Sequence, residues 1–143
     1  MRLLLDTNIL LDAILLDRPD LNEAIHILRL AEEERVTALV TPMSLGTVVF
    51  IMQRGARREG PALERARQAV LDLLKVVRVA PVEAIHFARS ARSTFLDIED
   101  GAQFFSASAS GKLDAIITRD KDFNDHVNVP VLSAPAFLKQ FKH

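Results

Sequence analysis

Aspartate residues lie at three well-separated points of the sequence where carboxylate chemistry could be assembled. Asp6 follows the apolar run Leu3–Leu5, Asp100 ends a short acidic segment, and Asp120 lies just beyond the apolar segment 114–118. Carboxylates that come together repel one another, and a proton or a cation relieves this repulsion. Oxygen ligands without His or Cys suit a hard ion such as Mg²⁺ or Mn²⁺. Such an ion can lower the pKa of a water molecule and hold a phosphodiester for in-line attack.

The position of Asp6 depends on the strand that precedes it. Three large apolar residues, Leu3–Leu5, followed by polar ones, predict a short strand that is buried on both faces. The ligand crevice of an open α/β sheet lies at the carboxyl ends of its strands, so Asp6 would lie beside it. Aspartate is also a common capping residue. Asp6 could therefore serve simply as the cap of a helix over Asn8–Leu16, without a role in chemistry. The residues by themselves leave both roles open.

The acidic segment that contains Asp100 also offers two interpretations. Asp97 and Asp100 are three residues apart and would stack on one face of a helix. Alternatively, Asp97 caps this helix and Glu99 is a favourable charge in its first turn. We interpret Asp97 as structural and Asp100 as functional.

Apolar periodicity and turn residues predict strands and helices that alternate along the chain. Strands are predicted over Leu3–Leu5, Val36–Val40, Val76–Val79, Asp114–Thr118 and Val129–Leu132. Helices are predicted over Asn8–Leu16, Pro19–Glu34, Pro42–Met52, Leu63–Leu74, Pro81–Ser93, 97–111 and Ala134–Phe141, with Thr41 and Ser133 as caps. This alternation predicts an α/β fold in which a small parallel sheet is flanked by helices, as one domain over residues 1–143. Right-handed crossovers would place the carboxyl ends of the strands, with Asp6 and Asp120, at one edge.

Composition narrows the classes of protein to consider. The chain has 143 residues, of which 49% are hydrophobic and 26% charged, as in globular proteins with a single core. Cysteine is absent, which excludes disulfides and thiolate sites and favours a reducing, cytoplasmic location. No apolar run approaches the roughly 18 residues that cross a bilayer, so we expect no membrane segment. The four histidines have no spacing typical of metal ligands.

The order of the motifs resembles that of PIN domains. The resemblance rests on the segments LLLDTN (3–8), DIEDGAQ (97–103), IITRDKDF (116–123) and VPVL (129–132), and it covers nearly the whole chain. It implies a PIN-like α/β/α sandwich and a metal-dependent ribonuclease of the kind found in VapC-like toxins. Such proteins bind Mg²⁺ or Mn²⁺ through clustered carboxylates, cut RNA, often form homodimers, and are neutralised by a small antitoxin.

Matched to the family's pattern, Asp6, Asp100 and Asp120 are the first, third and fourth carboxylates, and the resemblance implies that they hold the metal and carry catalysis. Thr118 matches the small hydroxyl residue of the family's Thr-x-Asp element. Asn8 matches a polar residue that supports the carboxylates.

The chain departs from the family at the second carboxylate, which is usually a Glu in the helix after the second strand. Thr47 occupies the matching position, and no acidic residue occurs between Val36 and Arg58. With a neutral polar residue at this position, the chain resembles a subgroup of PIN-like sequences. The loss of one carboxylate should lower metal affinity. The alternative to an active ribonuclease is therefore a catalytically weakened module that binds RNA or a protein. An aspartate-based phosphotransfer domain is a third reading, but the second aspartate that it needs near Asp6 is missing.

Positive charge must be local if the partner is RNA, because the net charge is −1. Arginines cluster between residues 54 and 67, where a solvated helix face is one explanation and contact with phosphates is another. We predict that Arg54, Arg57 and Arg58 guide the RNA backbone.

Overall fold

Five short strands and seven helices, with a pair of helices between each of the first four strands, form the fold in a computed structural model that describes residues 1–54 and 60–141. The strands are β1 (Arg2–Leu5), β2 (Thr37–Val40), β3 (Arg78–Val79), β4 (Ala115–Ile117) and β5 (Val131–Leu132). The helices are α1 (Thr7–Ile14), α2 (Leu21–Glu32), α3 (Pro42–Gln53), α4 (Pro61–Val76), α5 (Ala84–Ala91), α6 (Ile98–Ala109) and α7 (Ala134–Gln140). A 3₁₀ turn over Lys121–Phe123 follows β4. No helix in the described ranges is long and apolar enough to cross a membrane.

The strands form one sheet of order β3-β2-β1-β4-β5 in which every neighbouring pair is parallel. The chain builds outward from β1 to β3 and then returns to place β4 on the other side of β1. This change of direction is a topological switch point, where a crevice opens beyond the carboxyl ends of the two central strands. Asp6 and Thr118 directly follow these two strands. The predicted α/β fold with a small parallel sheet is therefore confirmed.

The central strand β1 is buried on both faces, as the run of leucines predicts. Leu3 and Leu5 pack in the core formed with α1, α2, α3 and α7, whereas Leu4 packs on the opposite face with Phe104 and Phe123. Neighbouring residues of a strand point to opposite faces, so each leucine has its own core to fill. The three are at most 1% exposed. Full burial of each contributes roughly 1.5–3 kcal/mol, which fixes the backbone immediately before Asp6.

Several predicted boundaries differ from the structure by a few residues, and tertiary contacts explain two of them. Val76 belongs to α4, and β3 is only the two residues Arg78–Val79, because this edge strand pairs with β2 alone. The helix predicted from Pro81 begins at Ala84, where the Glu83 backbone N–H donates to His86 Nδ1 at 2.9 Å. This bond favours the start of α5 at that point, because it satisfies a backbone N–H group that lies just outside the helix.

Candidate active site

Asp6 caps α1, and its carboxylate is held from three directions. Oδ1 accepts a hydrogen bond from the Thr7 backbone N–H at 2.8 Å. Oδ2 accepts from the Thr118 hydroxyl at 2.6 Å and from the Asn8 amide at 3.1 Å. The capping role and the position at the crevice, which are alternatives in the sequence, therefore belong to the same residue.

The Thr118 hydroxyl connects the carboxyl ends of β1 and β4. It donates to Asp6 and accepts from Asn8 Nδ2 at 3.2 Å and from the Asp120 backbone N–H at 2.9 Å. With 3% of its surface exposed, Thr118 is shielded from water. Asp120 in turn caps the 3₁₀ turn, where its Oδ1 accepts from the Asp122 N–H at 2.8 Å. One buried hydroxyl thus orients the side chain of Asp6 and the backbone of Asp120.

Asp100 lies in the first turn of α6, and its neighbours determine how closely that turn packs against α5. Asp97 caps the helix by accepting from the Asp100 N–H at 3.0 Å. A Cβ atom on Gly101 would overlap Ser90 Oγ and lie 2.9 Å from the Phe95 ring. Glycine therefore allows α6 to pack tightly against α5, and this close packing places Asp100.

The structure brings Asp6, Asp100 and Asp120 within electrostatic range of one another. Burial, followed in order of effect by the charges of Asp6, Asp97, Asp120 and Glu99, raises the pKa of Asp100 to about 7. Burial also raises the pKa of Asp6, against hydrogen bonds from Thr118 and Thr7 that lower it, while the charges of Asp120 and Asp97 add to the rise. A carboxyl group titrating near neutrality is the expected result of crowded carboxylates, and a cation would relieve it.

These carboxylates form an electrostatic cluster rather than a finished coordination sphere. Among residues 1–54 and 60–141, no three Asp, Glu or His side chains converge closely enough to hold one ion as they stand. A metal ion would therefore need side-chain rearrangement to engage all three predicted ligands. The donor set consists of carboxylate oxygens, which is the chemistry that Mg²⁺ and Mn²⁺ select.

Thr47, at the position of the usual Glu, donates its hydroxyl to the Met43 carbonyl of its own helix at 3.0 Å. Ser44, one turn earlier, is fully buried and contacts Thr7 Oγ1 at 2.7 Å. Thus α3 contacts the first residue of α1, next to Asp6, through Ser44, whereas the hydroxyl of Thr47 is engaged by its own helix.

A buried polar cluster missed by sequence reasoning joins α6 to this region. Gln103 is 4% exposed, and its Oε1 accepts from the hydroxyls of Ser44 at 3.0 Å and Thr41 at 2.9 Å. Thr41 is the N-cap residue of α3, as predicted, but its side chain makes no capping bond and donates to Gln103 instead. The available signal was spacing, because Gln103 follows Asp97 and Asp100 at intervals of three along one helix face.

His126 is a second neighbour that the sequence did not single out. Its ring packs 5.0 Å from the Phe95 ring, and its Nδ1 lies 2.9 Å from the Thr94 hydroxyl. Together with Asp97 and Asp100 it lines a small cavity beside the carboxylates. A lone histidine in a loop carries no local pattern that would predict this placement.

Of the three arginines predicted to contact RNA, the structure describes one. Arg54 ends α3 and is exposed. Arg57 and Arg58 lie outside the described residues.

The family model of the PIN domain matches residues 2–122 of the chain. No curated protein sequence matches the chain significantly.

Similar solved structures include VapBC2 from Rickettsia felis bound to a DNA fragment from their promoter, at 16% identity, with 92% of this chain and 97% of that chain covered and a TM-score of 0.64. FitAB bound to IR36 DNA has 14% identity, coverages of 99% and 98%, and a TM-score of 0.70. VapC20 of Mycobacterium tuberculosis, a toxin that cleaves the sarcin–ricin loop, has 18% identity, coverages of 89% and 98%, and a TM-score of 0.63. At these identities the likeness shows the fold alone.

Proposed function

The chain belongs to the PIN domain family, and from this premise we propose that it is a divalent-metal-dependent endoribonuclease that hydrolyses RNA phosphodiesters. The observation that supports the proposal is that Asp6 and Asp120 follow the two central strands at the topological switch point and that their charges raise the pKa of Asp100. Charges that crowd each other in this way favour a bound cation.

The donor chemistry fits Mg²⁺ or Mn²⁺, and Asp6, Asp100 and Asp120 would hold the ion. When bound, such an ion supplies positive charge for a phosphodiester and lowers the pKa of a nearby water molecule. The residues around the carboxylates hold them in place. Thr118 and Asn8 orient Asp6 by hydrogen bonds.

Other residues complete the proposed site. Asp97 caps α6 and so positions Asp100, and Thr47 lines the site without supplying a charge. Arg54, Arg57 and Arg58 contact phosphates of the RNA on the approach to the carboxylates, which adds salt-dependent affinity without sequence preference.

We also propose that the protein is the toxin of a toxin–antitoxin pair, acts in the cytoplasm as a homodimer, and is neutralised by a small antitoxin protein. The fold supports this proposal, because it is shared with the VapBC2 and FitAB complexes. Co-expression with the product of the neighbouring reading frame, followed by size-exclusion chromatography, tests both associations.

A second candidate function is binding of RNA or a protein without cleavage. Two observations favour it: Thr47 replaces the usual Glu, and its hydroxyl is engaged by the Met43 carbonyl. A site with one fewer carboxylate has less negative charge with which to attract a divalent cation.

Incubation with a mixed RNA pool and Mn²⁺ separates the two functions. We expect cleavage by the wild type, loss of cleavage in Asp100→Asn, and faster cleavage in Thr47→Glu. Asp17→Asn, an exposed carboxylate outside the cluster, is the matched control. RNA binding without cleavage in the wild type, with cleavage gained in Thr47→Glu, would instead support the binding module. Equal cleavage by wild type and Asp100→Asn would contradict the proposed site.

A further inference from the structure

We propose that the ion pair between the buried Asp12 and the partly exposed Arg119 positions the carboxylate site by holding the loop after β4 against α1. The proposal rests on the ribonuclease function proposed above, and it assigns a role to two residues that supply none of the three clustered carboxylates. Both are positioning residues, because they act through Asn8, Thr118 and Asp120 rather than on a ligand.

Arg119 contacts α1 at two points, through its backbone and through its side chain. Its backbone N–H donates to Asn8 Oδ1 at 3.4 Å, and its Nη2 lies 3.1 Å from Asp12 Oδ1. Asn8 and Asp12 are four residues apart and therefore lie on the same face of α1. The loop after β4 is thus aligned along one helix face through its backbone and its side chain.

Because Asp12 is buried, its charge depends on the ion pair with Arg119 for compensation. Asp12 has 0% of its side chain exposed, whereas Arg119 is 34% exposed. Within the described residues neither carboxylate oxygen of Asp12 has a hydrogen-bond partner, so its pairing is ionic. Burial raises the pKa of Asp12, the charges of Arg119 and then Arg18 lower it, and Asp20 raises it. Removal of one partner from such a pair leaves a buried charge uncompensated, which is costly.

The location of Arg119 connects the pair to the proposed chemistry. It lies between Thr118, whose hydroxyl orients Asp6, and Asp120, whose backbone N–H donates to that same hydroxyl. A shift of Arg119 would displace both neighbours, because adjacent residues share peptide planes. Residues that orient metal-binding groups typically change metal affinity 10- to 100-fold when they are lost.

A double-variant design separates positioning from a purely structural role. Arg119→Met leaves Asp12 buried without its partner, and the addition of Asp12→Asn removes that charge again. We expect the single variant to be less stable and the double variant to recover much of the stability. We expect both to bind Mn²⁺ about tenfold more weakly in calorimetry and to lose RNA cleavage mainly in kcat rather than KM.

Two further variants complete the comparison. Arg119→Lys, which keeps the charge, should restore part of the Mn²⁺ affinity and of kcat. Arg18→Met is the matched control, because the charge of Arg18 also lowers the pKa of Asp12 but Arg18 does not lie in the loop after β4, and it should leave both quantities near the wild-type values. Recovery of full Mn²⁺ affinity in the double variant would overturn the positioning role and make the pair structural only.

Hydrogen exchange of the Asp120 amide tests the same inference without metal or RNA. This amide donates to Thr118 Oγ1, so we expect it to exchange about tenfold faster in the double variant, and at the wild-type rate in Arg18→Met. Unchanged exchange in the double variant would refute the inference. A wild type that binds no Mn²⁺ and cuts no RNA would overturn the proposed function, and the exchange measurement would still decide the role of the ion pair.

Discussion

Asp100→Asn should stabilise the folded protein at neutral and alkaline pH when no divalent cation is present. The pKa of Asp100 is raised from 3.8 to about 7, mainly by burial and then by the charge of Asp6. The folded state therefore holds this proton more tightly than the unfolded state, and stability falls as pH rises from about 4 to 7. Asparagine keeps the shape of the side chain without the charge.

The size of the effect follows from the same values. Each pKa unit corresponds to about 1.4 kcal/mol, so ionised Asp100 costs the folded state at most about 4 kcal/mol at pH 8, and solvent screening of this partly exposed carboxylate lowers that figure. The corresponding upper value at pH 5 is about 2 kcal/mol, because Asp100 is then protonated in the folded state and mostly ionised in the unfolded state. The gain from Asp100→Asn should therefore be about two to three times as large at pH 8 as at pH 5.

Urea denaturation in EDTA at pH 5 and pH 8 measures this difference in the free energy of unfolding. Asp17→Asn, which removes an exposed carboxylate, is the control and should change stability little at either pH. Addition of Mn²⁺ at pH 8 should stabilise the wild type and not Asp100→Asn, because a ligand that binds only the folded state raises its stability. An Asp100→Asn variant that is equally stabilised at both pH values, or destabilised at pH 8, would refute the reasoning from crowded carboxylates.

Three further substitutions test the parts that support the cluster. Gly101→Ala should destabilise the protein by about 1–3 kcal/mol in urea denaturation, because the new Cβ overlaps side chains packed against α6; unchanged stability would show that α6 can shift freely. Gln103→Leu should cost about 1–3 kcal/mol in the same assay, because two buried hydroxyls lose their acceptor. Thr118→Val should raise the pKa of Asp6, seen by NMR titration of its carboxyl carbon, because a hydrogen bond that lowers this pKa is removed. A pKa of Asp6 that stays unchanged in Thr118→Val would contradict that assignment.

Local patterns in the sequence determined the fold class and the principal strands. The run Leu3–Leu5 predicts a strand buried on both faces, and the alternation of strands with helices predicts a parallel sheet. These inferences succeed because side-chain periodicity and chain connectivity are properties of neighbouring residues. From them alone Asp6 and Asp120 are expected at the same edge of the sheet, which is where the structure has them.

The tertiary structure alone decided which buried polar groups pair with one another. Thr41 has the sequence position of a cap and instead donates to Gln103, and Asp12 is buried against Arg119 from a distant part of the chain. The short strand β3 and the start of α5 likewise depend on their neighbours in space. A buried polar group must find a partner once water has been removed, and which partner is within reach is known only after the helices have packed on the sheet.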